Sequence, residues 1–361
     1  MSYFTVISIA LSLCALFVVV TTLLPLSHSH AWWIRGWDFP RVQIALFGAG
    51  VLLAVWLLLP FPLKGILGGA LAACIAYQSY RIFPYTPFAS SETVLADREA
   101  CGEIVSLMSA NVLKENEDHA ALIREIDKVD PDVLLLMETD PAWVAAVEPV
   151  LSRYDTVLRE PLDNHYGIVF ATRLKALKAE VLYLVDDDTP SIFAELETPG
   201  GQVMRYVGLH PRPPVPGNTT EDRDAQILFS ARFAHKANVP LVAMGDFNDA
   251  AWSDTTRLFK TVGGYLDPRI GRGFYASFDA RSKLLRTPID HFYHTKEVAV
   301  TDFGRGAFFG SDHFPIYAKI CLDRDLAARL NTAPSPLSEE DKAKADKIVQ
   351  ARLARFDGLL D

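Results

Sequence analysis

Charge is almost absent from the first quarter of this 361-residue chain. Only four of its 35 basic residues (Arg35, Arg41, Lys64, Arg81) and one of its 44 acidic residues (Asp38) fall within residues 1–90. The head is therefore +3, and residues 91–361, with 31 basic and 43 acidic side chains, carry −12 of the chain's net −9. Such a split excludes an ordinary soluble single domain and describes an apolar head on an acidic body. Cysteine is scarce: there are four, and none joins histidine at a zinc-site spacing. The chain has no glycine-rich phosphate loop and no GxSxG elbow, which removes two large hydrolase classes. It has no basic stripe of the kind that nonspecific nucleic-acid binding uses. No internal repeat is present.

What the head does have is apolar length. Residues 3–26 and 42–63 carry no charged side chain, and a bilayer core needs about 20 apolar residues in helical form. Residues 65–80 are shorter but also uncharged, with Lys64 placed to snorkel and small residues (Gly68, Gly69, Ala70, Ala72, Ala73) for close helix packing. Trp32, Trp33 and Trp37 supply an interfacial belt in the first loop. The reading is a membrane anchor of three transmembrane helices over 1–81. A cleaved signal peptide is disfavoured, because no basic stretch precedes residue 3 and two apolar segments follow. Three spans put Arg35, Arg41 and Arg81 on one side and Lys64 on the other, a mild positive-inside preference for a cytoplasmic body.

A linker over 82–99 leads to a body over 100–322, then a helical tail over 323–361. Eight apolar runs in the body read as strands: 102–112, 132–139, 167–173, 191–198, 203–210, 239–248, 289–295 and 314–322. Helices are expected over 119–130, ending at Pro131, and over 222–237. This is an α/β body with a layered, mixed sheet. In the tail, Ser338 and Asp341 resemble a capping box, and Ile348, Leu353 and Phe356 form one helical stripe; the plain reading is a solvated terminal helix.

Polar residues collect at the ends of the apolar runs, where α/β sites are built. Asn111, Glu138, His210, Asp246 and Asn248 end strands; Asp290 opens one; Asp312 and His313 precede another. Singly, each has a plain reading as a turn or cap residue. His165, His235 and His294 stay in that class, as does the loop Asp186–Asp188, expected to be solvated with at most a weak cation site.

In this order the segments SANV, DPDVLLLMET, GLHPRPP, MGDFND, PIDHFYH and GSDHFP resemble the motif series of the endonuclease/exonuclease/phosphatase superfamily. GDFN and SDHFP are the specific part. The resemblance spans roughly 100–322 and implies a two-layer β-sandwich flanked by helices, with metal-assisted attack of water on a phosphoester. By position it implies Asn111, Glu138 and Asp312 as metal-side residues, with Glu138 the main Mg²⁺ ligand (Mn²⁺ being the alternative). It implies His313 as the histidine at the scissile phosphate, Asp290 as its carboxylate partner, and Asp246 with Asn248 as the pair positioning the nucleophile. His210 matches a second histidine, a candidate general acid. Arg212, and Arg223 in an R-x-x-Q pattern with Gln226, are candidate substrate-binding residues.

The superfamily leaves the substrate open. The apolar head favours a phosphorylated lipid; a membrane-tethered nuclease is the alternative, and a non-catalytic interaction protein the third reading. Three spans ahead of this domain are similar to the teicoplanin-resistance membrane proteins of bacteria, which implies an inner-membrane protein with an outward-facing body. In the superfamily the first and last body strands are antiparallel neighbours, which implies that Cys101 and Cys321 come within disulfide reach. A disulfide favours an oxidising compartment.

Overall fold

The computed structural model describes residues 3–27, 29–233 and 239–352. The head contains α1 (Tyr3–Leu23), a short α2 (Trp32–Arg35), α3 (Arg41–Leu58) and α4 (Leu63–Ile82). The three long helices share an apolar core that includes Val18, Ile44, Val51, Val55, Leu71 and Cys74. By length and composition only two of them, Tyr3–Ser27 and Arg41–Leu58, are apolar enough to cross a membrane. The expectation of three such helices is corrected to two. α4 is as long, but Lys64, Gln78 and Arg81 dilute its hydropathy. A polar chain joins the three helices: Gln78 Nε2 donates to Thr22 Oγ1 (3.1 Å), and Arg41 donates to Gln78 Oε1 (2.9 Å) and Asp38 Oδ1 (2.6 Å).

The body is two six-stranded sheets. Its strands are β1 (Val105–Asn111), β2 (Val133–Met137), β3 (Thr156–Glu160), β4 (Ile168–Thr172), β5 (Lys175–Tyr183) and β6 (Pro190–Glu197). They continue with β7 (Val203–Leu209), β8 (Leu241–Asp246), β9 (Tyr265–Leu266), β10 (Asp290–Thr295), β11 (Ala299–Arg305) and β12 (Ile316–Cys321). The orders are β11-β12-β1-β2-β4-β3 and β5-β6-β7-β8-β10-β9. Each sheet is antiparallel except for one central parallel pair, β1 with β2 and β7 with β8.

Side-chain alternation explains the layers. In β1 and β2, Leu107, Val133, Leu135 and Met137 face the core between the sheets. Met108, Ala110, Leu134 and Leu136 face α5 (His119–Val129) and α6 (Pro141–Leu151). In β8, Val242 and Met244 face inward, while Leu241 and Ala243 meet α7 (Glu221–Arg232) and α8 (Asp254–Gly263). The result is the expected two-layer sandwich with helices outside. All eight apolar runs read from sequence are interior strands. The four strands missed, β3, β5, β9 and β11, are the four sheet edges. Edges carry charge, as in TVLRE and KALKAEVLY, which hides them from a search for apolar runs.

β1 and β12 pair antiparallel, and Cys101 is bonded to Cys321 with their Cα atoms 6.0 Å apart. After it come α9 (Arg324–Leu330), packed near that disulfide, and α10 (Glu339–Gln350). The tail helix is not merely solvated: Ser338 caps it on the Asp341 N–H, and Ala345 and Val349 are buried with the α7 and α8 side chains. Ile348 packs there too; Leu353 and Phe356 lie outside the described residues, as does His235.

The body-side loop of the head docks on the sandwich. Trp252 Nε1 donates to Asp38 O (2.6 Å), Tyr85 donates to Ala251 O (2.6 Å), and Arg81 pairs with Asp254 (2.9 Å). The α3–α4 turn lies at the opposite end of the helices, so Arg35, Arg41 and Arg81 share the body's side. Arg35 and Arg41 are both paired with Asp38. All three arginines are ion-pair members.

Candidate active site

The site forms at one end of both parallel pairs. Asn111 ends β1, Glu138 follows β2, His210 follows β7 and Asp246 ends β8. Antiparallel pairing sets Asp290 of β10 opposite Asp246. Glu138 and Asn248 both take positive φ (61° and 48°), turning the chain sharply at the strand ends.

Their side chains converge. The Asn111 amide donates to Glu138 Oε1 (2.8 Å) and to Asp246 Oδ2 (3.2 Å). His313 Nδ1 is 2.7 Å from Asp290 Oδ2, and its Nε2 is 3.6 Å from Asp246 Oδ2. His210 Nε2 lies 3.7 Å from Asp246 Oδ2 and 4.0 Å from Glu138 Oε1. The Asn248 N–H donates to Asp246 Oδ1 (2.8 Å), and its amide donates to Pro211 O (2.9 Å). Ser311 Oγ bridges, accepting from the His313 N–H and donating to Asn111 O (2.8 Å). Asp312 stands at the rim, its Oδ2 3.3 Å from Arg281.

Electrostatics divide these groups. Burial disfavours a charged His313, but Asp290 and Asp246 outweigh it and push the imidazolium up to about 10. Burial pushes His210 down to about 4, so it stands neutral. Burial raises the Asp246 carboxyl; His313 opposes this and the Asp290 charge reinforces it. Burial also opposes ionisation of Glu138, yet the Asn111 and His165 hydrogen bonds and the His313 charge offset it, and the carboxyl is held low. Burial raises Asp312.

Asp246, Asp290 and His313 bring ligand atoms within 4.8 Å of one another, a buried group able to hold a metal. The 2.7 Å bond between Asp290 and His313 commits those two to each other. Oxygen donors remain in Glu138 and in Asp312, whose Oδ1 is buried without a partner; Asn111, expected at the metal, turns its amide to Glu138 and accepts the Leu113 N–H on its Oδ1 (3.0 Å), so it braces the carboxylate instead. Carboxylate oxygens, one of them orphaned and buried, fit a hard divalent cation.

Two expected substrate residues are placed differently from the rest. Arg212 stacks over Tyr166 and is held by Asp186 (2.9 Å) and Asp188, so that loop is an arginine clamp rather than a solvated turn. Arg223 is buried behind the site, donating to Asn248 O (2.9 Å) and paired with Asp224 and Asp249. His165, set aside from sequence, lies 3.2 Å from Glu138 Oε2. His294 is a core histidine bonded to Thr93 and the Thr295 carbonyl. Tyr166, whose ring lies 5.6 Å from that of His210, was missed. Its only signal was position, in the turn that opens β4.

A sequence model described as "Endonuclease/Exonuclease/phosphatase family" matches residues 108–313. No curated protein matches the chain. The chain is similar in structure to D. rerio TDP2 complexed with a single-strand DNA product: TM-score 0.50, 17% identity, covering 60% of this chain and 99% of that one. It is likewise similar to a functionally unknown conserved protein of Enterococcus faecalis: TM-score 0.50, 16% identity, 61% and 100% covered.

Proposed function

Because the chain belongs to the endonuclease/exonuclease/phosphatase family and is a metal-dependent hydrolase of phosphate esters, we propose that it is a membrane-anchored phosphoesterase acting on a lipid-linked phosphodiester or pyrophosphate. The observation that carries the lipid reading is the docking of the apolar head on the body through residues 30–43 and 81–85. Tethering holds the site at the headgroup layer, where phosphorylated lipids are concentrated.

Glu138 and Asp312 would hold the divalent cation, Mg²⁺ or else Mn²⁺, with Asn111 bracing Glu138 through its amide. When bound, the cation neutralises charge on the phosphate oxygens. Asp246, raised by burial and fixed by the Asn248 N–H, orients water and accepts its proton. Asn248 directs its amide at Pro211 and keeps that turn in place. His313, kept positive by Asp290, donates to a phosphate oxygen as charge builds there. His210 faces the same space as a neutral imidazole, so it serves the leaving oxygen as a hydrogen-bond donor and not as the expected general acid; solvent supplies the proton that oxygen takes up. Arg212 orders the wall through Tyr166, and Arg223 braces Asn248 from behind.

The body faces outward in this reading, at a bacterial inner membrane. The Cys101–Cys321 disulfide supports an oxidising side, against the mild positive-inside preference of Arg35, Arg41 and Arg81. Purified full-length chain in phospholipid vesicles with Mg²⁺ should release phosphate or headgroup from a polyprenyl diphosphate or glycerophospholipid and leave supercoiled plasmid intact. Plasmid nicking without lipid turnover would make it the tethered nuclease.

A further inference from the structure

Two loops run from the catalytic strand ends to the head. One follows His210 and ends where Thr219 pairs with Ala31 and the Thr220 N–H donates to His30 O (2.8 Å). The other, 279–287, precedes β10. At one end the Ala280 N–H donates to Asp312 O (2.6 Å), and Arg281 reaches the Asp312 carboxylate. At its other end Thr287 Oγ1 donates to Phe39 O (3.2 Å). Between them, the Gln43 amide donates to Leu284 O (2.8 Å).

Gln43 is in the first turn of α3, one of the two helices apolar enough to cross a membrane. Leu284 thus sits beside the mouth of a span. It is 82% exposed and Leu285 63% exposed. One helical turn further along α3, Leu46 and Phe47 are exposed as well, so the leucines continue the outer apolar surface of the span. Arg281, Lys283 and Arg286 flank the pair; Arg281 is paired with Asp279 and Asp312, and Arg286 is bonded to the Ser282 and Ala280 carbonyls, so exposed Lys283 is the cation best placed for a headgroup. Leucines open to the outside beside an apolar helix, with cations on either side, match the edge of a bilayer: hydrocarbon for the leucines, an anionic headgroup for Lys283.

We propose that loop 279–287 seats in the bilayer, with Leu284 and Leu285 in the interfacial region of the leaflet that receives the start of α3. The loop then fixes the rim beside Asp312 and His313 against the headgroup layer. Substrate reaches the site by lifting a headgroup a short way, not by leaving the membrane. Val215, in the loop that follows His210, and Trp33, in α2, are exposed as well. This inference rests on the membrane-anchored reading above and names the surface that serves it.

The test uses full-length chain with Cys14→Ala and Cys74→Ala, bearing Leu284→Cys or, as control, Pro199→Cys in the β6–β7 turn. Pro199 is exposed and lies at the end of β7 remote from His210. Each is labelled with bimane and reconstituted in vesicles of phosphatidylethanolamine and phosphatidylglycerol containing spin-labelled lipid. Quenching should be severalfold stronger at 284 than at 199. Equal, weak quenching at both sites overturns the proposal. The readout needs no turnover, so strong quenching at 284 without lipid hydrolysis upholds the loop while the substrate reading falls. In the hydrolysis assay, Leu284→Ser/Leu285→Ser should lower turnover of vesicle substrate about tenfold and leave a soluble aryl phosphodiester unaffected. Equal loss on both substrates would count against membrane seating.

Discussion

Asp290 decides the state of His313. A 2.7 Å bond between buried partners keeps the imidazole positive and turns its Nε2 toward Asp246. Because the folded imidazolium persists to about 10, against about 6.5 in the unfolded chain, this pair stabilises the fold fully below pH about 6.5. That contribution fades as pH rises from there through about 10. Asp290→Asn should flatten the loss of stability over this alkaline window, measured by denaturant unfolding at successive pH values. It should also lower kcat by about 10²–10⁴-fold with little change in KM, since the charge matters most as the phosphate develops negative charge. A wild-type alkaline slope retained in the variant would show that His313 is not held charged by Asp290.

At the scale of elements, close backbone approach holds the metal-side residue in place. A Cβ on Gly167, just before β4, would lie 1.8 Å from Thr139 O and 2.6 Å from Leu162 N. Both contacts are backbone, so no side chain can yield. Gly167→Ala should cost about 1–3 kcal/mol and move the segment that follows Glu138. Thermal unfolding with a metal titration checks this; an unchanged midpoint would mean that the strand shifts freely. Element interiors were legible in sequence and edges were not. β1, β2 and β8 are apolar on both faces because helices cover one and the partner sheet the other. α6 and α8 went unread, although Asp140 before Pro141 and Ser253 before Asp254 are cap signals that the structure uses on the Trp143 and Thr256 N–H groups. Apolar pattern drew attention away from them. The site was legible as strand-end residues, because chemistry sits where strands stop. His165 and the Asp186–Arg212–Asp188 clamp were not, because they depend on loops meeting across the fold.

For the whole molecule, the head and the body are one design. The same β10-side segment that touches Asp312 and Phe278, the latter bridged to His313, also touches Phe39 and Gln43 at the top of α3. The disulfide that ties the segment before β1 to the end of β12 is the feature on which the outward-facing proposal rests. The most direct measurement of the central claim is product release from lipid diphosphate in vesicles by full-length chain. It compares wild type with Glu138→Gln and His313→Ala, each with Mg²⁺ and with excess chelator. The account predicts turnover that is lost on chelation, restored by Mg²⁺, and reduced by orders of magnitude in both variants. Chelator-resistant turnover, or wild-type rates in either variant, would contradict it.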